Sequence, residues 1–84
     1  MMPRARMEIS VYPIGTSNPS ITAEISAIFD ILDMSGLKYE ISVMGTIVEG
    51  STDELLSLAG KLHSAVFSDS VNRVVTLIRI DERK

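Results

Sequence analysis

Few side chains in this sequence could perform chemistry. The chain has no cysteine and a single histidine, His63. Without cysteine, disulfides, thiolate metal sites and thiol catalysis are excluded together. One histidine would need an orienting partner to act as a general base, or a carboxylate cluster to hold a metal. His63 lies at the border of an apolar helical stripe, so we interpret it as a half-buried packing residue and expect neither catalysis nor a metal site.

Most carboxylates are explained by helix chemistry. Asp30 and Asp33 are three residues apart on a predicted helix, a spacing typical of a solvated helix face. Asp53 and Glu54 lie at the start of the next helix, where acidic side chains satisfy amide groups and oppose the helix dipole. Glu49, in a strand beside a turn, has no such explanation, although an acidic strand residue is usually exposed to solvent.

The polar segment at residues 15–20 precedes a predicted helix and superficially resembles a phosphate loop. It has no lysine and lacks the GxxxxGK[ST] arrangement. Its hydroxyl and amide groups could instead hydrogen-bond a neutral heterocycle, or serve only to form the turn, and both interpretations stay open. The side chains concerned are those of Thr16, Ser17, Asn18 and Ser20.

Six elements must position these groups. Alternating apolar residues predict four strands, at residues 7–14, 39–43, 46–49 and 73–80. A 3.6-residue period predicts one helix from about residue 21 to Gly36, and a second that begins at the capping box of Ser51 and Glu54 and ends near residues 68–70. The order β-α-β-β-α-β predicts an α+β, ferredoxin-like fold: a four-stranded antiparallel sheet with both helices on one face.

Composition sets further limits. The chain has 84 residues, of which 45% are hydrophobic and 23% charged, so we expect a single domain over residues 1–84 with frayed ends at 1–6 and 82–84. A net charge of −3, without a basic cluster beyond the termini, argues against nucleic acid. No signal peptide and no apolar run of about 20 residues is apparent, so we expect a cytoplasmic protein with no membrane partner.

The last predicted strand is apolar on both faces. Val74, Ile78 and Ile80 point one way, and Val75 and Leu77 point the other. Because helices can cover only one face of this sheet, the second apolar face needs a partner. We therefore expect the chain to associate with itself, as a homodimer or homotetramer.

Four segments together resemble a known family. They are residues 9–15, 36–40, 44–50 and 73–81. They are similar to the small, YkoF-like thiamine-binding family, and the resemblance covers nearly all of residues 7–83. It implies a ferredoxin-like fold, dimers and tetramers, and non-catalytic binding of thiamine or its pyrimidine moiety.

By position, the resemblance also implies ligand contacts. Asn18 and Ser20 would hydrogen-bond the aminopyrimidine, and Tyr39 would stack on a ring or face the thiazolium cation. Met44 would offer an adaptable apolar wall, and Glu49 would balance the positive charge. The implied contacts are Asn18, Ser20, Tyr39, Met44, Thr46 and Glu49.

The location of this site follows from the predicted topology. We expect the loop after the first strand and the Met44-Gly45 turn to lie at opposite sheet ends. Ligand contacts would then run along the open sheet face, with a contribution from a neighbouring subunit. Two other functions remain open: a structural or regulatory homo-oligomerisation module with no small ligand, and an enzyme, which the scarcity of catalytic residues disfavours.

Overall fold

A computed structural model of the chain describes residues 4–15, 22–42 and 45–84. The elements are β1 (Ala5–Pro13), α1 (Thr22–Ser35), β2 (Lys38–Ser42), β3 (Gly45–Gly50), α2 (Thr52–Ala65) and β4 (Val74–Glu82). All strand pairs are antiparallel, and the sheet order is β2-β3-β1-β4. The predicted α+β, ferredoxin-like fold is confirmed. Within the described residues, no helix is long and apolar enough to cross a membrane.

One face of the sheet is buried under the helices. Successive strand residues point to opposite faces, and in β1 the residues Ala5, Met7 and Ile9 are buried while those between them are not. Val48 of β3 is paired with Met7 and is also fully buried. The helices supply the rest of this core: Leu32 from α1, and Leu55, Leu58, Ala59 and Leu62 from α2.

The other face of the sheet is open and partly apolar. Leu77 pairs with Ser10, and Val75 with Tyr12, all four on the face away from the core. Leu77 is 61% exposed and Tyr12 47%. The prediction that Val75 and Leu77 lie on an open face, in a strand at the sheet edge, is confirmed.

The start of α2 follows the predicted capping box. The Ser51 hydroxyl accepts from the Glu54 N–H at 3.2 Å, and the Ser51 N–H donates to the Glu54 carboxylate at 2.9 Å. These bonds hold the pKa of Glu54 below its usual value, the backbone bond most strongly. The predicted end at residues 68–70 is wrong, since the helix stops at Ala65. Ser68 and Val71 then exchange backbone hydrogen bonds in a turn, which replaces further helical bonding.

The first and last strands of the chain, β1 and β4, extend further than expected. Ala5 pairs with Glu82, and Arg6 with Asp81. Residues 5, 6 and 82 are therefore part of the sheet, contrary to the expectation that they fray. Ala5 is 2% exposed, so burial against the core accounts for the longer strand at this end.

Candidate ligand-binding site

The two helices cover the sheet unequally. α2 packs against β1, β3 and β4, whereas the main neighbour of α1 is α2. Near the end of α1, Leu32 is fully buried, but earlier in the same helix Ile25 is 42% exposed and Phe29 40%. The first half of α1 therefore leaves its apolar face incompletely covered.

This uncovered face forms one wall of a cavity of about 440 Å³. The helix contributes Ile25, Ile28 and Phe29, and the sheet contributes Ile9 and Val11 from the opposite side. Small-molecule sites usually enclose about 300–1,000 Å³ and have mainly apolar walls. In size and lining, the cavity meets both conditions.

Two polar residues of the cavity lining, Thr46 and Ser42, lie where β2 and β3 meet. Thr46 lines the cavity, opposite Ile9 on one neighbouring strand and Ile41 on the other. Ser42 also lines it, and its hydroxyl donates to the Gly45 carbonyl at 2.8 Å. None of the described lining residues carries a charge. The site can therefore offer a ring an apolar slot with one hydrogen-bonding edge.

Gly45 permits the close approach of β1 and β3 beside the cavity. Its φ of +139° lies in a region that side chains rarely adopt. A Cβ at this position would stand 2.6 Å from the Ser10 Oγ and 2.8 Å from the Ile9 carbonyl oxygen. Any side chain here would force the two strands apart, so the local geometry requires glycine.

The expected separation of the first loop from the hairpin turn is wrong. β1 and β3 are antiparallel, with Ile9 opposite Thr46 and Ala5 opposite Gly50. In an antiparallel pair the end of one strand lies beside the start of the other. The chain therefore leaves β1 and enters β3 at the same end of the sheet, where the cavity lies. The cavity is therefore formed within a single chain.

Thr46 is the described member of the predicted ligand contacts that lies at the cavity. Tyr39 packs against the core, and its hydroxyl donates to the Asp33 carboxylate, a bond that raises the pKa of Tyr39. Glu49 lies on the open face, 3.7 Å from the Lys38 ammonium. The structure therefore does not bring Tyr39 or Glu49 to Thr46. The remaining three, Asn18, Ser20 and Met44, lie outside the described residues.

Sequence reasoning did not identify the apolar walls as ligand contacts. Ile25, Ile28 and Phe29 follow the same helical period as Leu32, which is the ordinary pattern of a core-facing helix stripe. One signal was available: these large side chains lie in the helix directly after the polar segment at residues 15–20.

His63 lies outside this cavity, at the contact of α2 with β4. Its Nδ1 is 2.6 Å from the Thr76 Oγ1, and its ring meets the edge of Phe67 with 5.5 Å between the centroids. Both contacts join neighbouring elements. The prediction of a half-buried packing residue is confirmed.

Known proteins are similar to this chain over nearly its whole length. The family described as "Thiamine-binding protein" matches residues 7–84. Protein YqgV of Bacillus subtilis is 33% identical over an alignment of 81 residues, covering 92% of this chain and 78% of that protein. Protein MJ1052 of Methanocaldococcus jannaschii is 38% identical over 77 residues, covering 92% and 75%.

Solved structures have the same fold. The crystal structure of MJ1052 superposes with a TM-score of 0.84 at 36% identity, over 99% of this chain and 84% of that one. A proposed thiamine biosynthesis or salvage protein of Thermotoga maritima superposes with a TM-score of 0.80, over 96% and 85%. At 23% identity, the second likeness concerns the fold alone.

Proposed function

This chain belongs to the thiamine-binding protein family, and on that premise we propose that it binds thiamine, or the pyrimidine moiety of thiamine, without catalysis. The proposed site is the cavity between the first half of α1 and the sheet. The observation that carries this proposal is the 440 Å³ volume with apolar walls and a polar edge at Thr46. A flat heterocycle with hydrogen-bonding groups on one side likewise has apolar faces and one polar edge.

The apolar walls account for most of the expected affinity. A ring inserted between Phe29 of the helix and Val11 of the sheet would be removed from water on both faces. Such burial contributes roughly 25 cal/mol for each Å² of apolar surface. Since Ile25 and Phe29 are already exposed in the free protein, a ligand would also cover apolar surface that the fold itself leaves uncovered.

The polar edge would fix the orientation of the ring. The Thr46 hydroxyl can both donate and accept, as an aminopyrimidine requires. Asn18 and Ser20, between β1 and α1 in the sequence, and Met44, between β2 and β3, stay proposed contacts because β1 ends and β3 begins at the cavity end of the sheet. Tyr39 is better placed to hold α1 through Asp33 than to touch the ligand.

Calorimetric titration with thiamine tests the site. We expect Thr46→Val to weaken binding by about 5- to 100-fold, since a lost hydrogen bond in a buried site costs about 1–3 kcal/mol. Thr52→Val is the matched control, because Thr52 bonds Glu82 at the opposite end of the sheet. Unchanged binding by Thr46→Val, or no binding by the wild type, would contradict the proposal.

The exposed apolar face supports a second role, self-association. We propose that a second copy of the chain covers Tyr12, Val75 and Leu77 to form a homodimer or homotetramer. Light scattering of the wild type should give at least the mass of a dimer, and Leu77→Asp should lower it, because an unpaired carboxylate is costly to bury. A stable monomer at micromolar concentration would contradict this role. Self-association without thiamine binding would favour a structural or regulatory module.

A further inference from the structure

The described lining of the cavity contains no positively charged residue. The chain has eight lysine and arginine residues, all within the described part, and none of them lines the cavity. The segments that connect β1 to α1 and β2 to β3 in the sequence, residues 16–21 and 43–44, contain no charged residue. The helix that forms the outer wall, α1, has three acidic residues, Glu24, Asp30 and Asp33, and no basic one.

One basic residue at this end of the sheet is Arg73, just before β4. Its carbonyl accepts a hydrogen bond from the Ile14 N–H at 2.9 Å, so its backbone lies at the cavity end of the sheet. However, β4 flanks β1 on the side away from β3. The polar edge of the cavity, at Thr46, lies on the β3 side. Arg73 is therefore separated from that edge by the width of β1.

We propose that this cavity selects the unphosphorylated ligand, thiamine or its free pyrimidine, against the phosphate esters of thiamine. The inference rests on the proposed function. A phosphate monoester carries roughly −1.5 to −2 charges near neutral pH. Phosphate is usually bound by arginine, lysine or several backbone amides, and apolar walls cannot replace its hydration.

The same surroundings suit the thiazolium cation of thiamine. Phe29, at the cavity wall, can present an aromatic face to a cation. The amino end of α1 would favour an anion weakly. This weak effect does not replace the arginine, lysine or set of backbone amides that usually binds phosphate.

Titration of the 84-residue chain with thiamine, thiamine monophosphate and thiamine diphosphate tests this selectivity. At one ionic strength, we expect the monophosphate to bind at least tenfold more weakly than thiamine, and the diphosphate more weakly still. A diphosphate that binds as tightly as thiamine overturns the selectivity and leaves the proposed function standing. Failure of all three compounds to bind overturns the proposed function, and the selectivity with it.

A charge introduced at the cavity provides the converse test. Ile41 lines the cavity and is 48% exposed, so Ile41→Lys can place an ammonium group at its mouth. We expect this variant to reduce the preference for thiamine over the diphosphate at least fivefold. Leu56→Lys, at a residue on α2 that is 51% exposed, adds the same charge away from the cavity and should keep the wild-type preference. Equal effects of both substitutions would mean that the selectivity depends on the net charge of the protein. That result would overturn the proposal that the lining of the cavity determines it.

Discussion

The two helices of this small domain illustrate different uses of the same unit, a strand followed by a helix. α2 buries Leu55, Leu58 and Leu62 against the sheet, and its first turn is closed by a capping box. α1 buries Leu32 but leaves Ile25 and Phe29 exposed beside a cavity. The comparison indicates that the α2 side supplies stability. The α1 side is less closely packed and leaves a space that a ligand can occupy.

The attachments of α1 fit this division. At the end of the helix, the Ser35 hydroxyl donates to the Leu32 carbonyl at 2.6 Å and accepts from the Leu37 N–H at 3.1 Å. Tyr39 adds a bond to Asp33 from β2. All of these contacts lie in the second half of α1, away from the cavity. The helix is therefore anchored at the end that does not contact the proposed ligand.

The largest expected effect is on the α2 side. Leu55→Ala should lower the free energy of unfolding by about 2–5 kcal/mol, because it creates a cavity in a packed core. Ile25→Ala, at a residue already 42% exposed, should cost less than about 1 kcal/mol. Denaturant titration measures both. Equal losses would remove the distinction between the two helices.

A smaller loss of stability is expected at the junction of β1 and β3. Gly45→Ala combines a positive φ with a Cβ too close to Ser10 and Ile9, and should cost about 1–3 kcal/mol. Gly60→Ala is the matched control, because that glycine lies in α2 with no atom within 4 Å of an added Cβ. It should stabilise the protein by about 0.5–1 kcal/mol. A Gly45→Ala variant as stable as the wild type would refute the requirement for glycine.

The cap of α2 should contribute less again. Ser51→Ala should cost about 1 kcal/mol, the usual loss at an N-cap. Because the pKa of Glu54 is lowered in the folded state, this carboxylate stabilises the fold above the ordinary glutamate pKa. The contribution disappears as the pH falls through the lowered value. The stability advantage of the wild type over Glu54→Gln should therefore shrink in acid, and an advantage that grows there would contradict the cap.

The smallest effect concerns the anchor of α1. The hydrogen bond to Asp33 raises the pKa of Tyr39, so its contribution is present below the ordinary tyrosine pKa and is lost as the pH rises through the raised value. In a Tyr12→Phe background, where Tyr39 is the remaining tyrosine, ultraviolet titration follows its phenolate directly. Asp33→Asn should lower this pKa. An unchanged titration would mean that the bond does not hold α1.

Local signals explain what the sequence could predict. The features that fix the element order depend on residues close together in the sequence. They are the capping box of Ser51 and Glu54, the buried stripe of α2, and Gly36 with its φ of +72°. The pairing of Ala5 with Glu82 joins residues far apart in the sequence. The start of β1 and the end of β4 were therefore not predicted.

The cavity depends on tertiary structure. The pattern of Ile25, Ile28 and Phe29 predicts an apolar helix face but not how far that face stands from the sheet. The end of the sheet at which the hairpin turn lies could have been deduced from the sequence. Antiparallel pairing of β1 with β3 places the start of β3 beside the end of β1. The sequence prediction put the ligand contacts along the open sheet face, whereas the cavity lies on the helix side of the sheet, and Thr46 belongs to both.

The central claim is that thiamine binds between α1 and the sheet rather than on the open face. Titration with thiamine of two tryptophan variants tests it most directly. Ile28→Trp fills the cavity, whereas Ile47→Trp adds the same bulk on the open face, opposite Glu8 and Glu40. We predict that Ile28→Trp weakens binding at least tenfold, that Ile47→Trp leaves it unchanged, and that both variants keep the circular dichroism spectrum of the wild type. Loss of binding in Ile47→Trp with retention in Ile28→Trp would contradict the account and place the ligand on the open face.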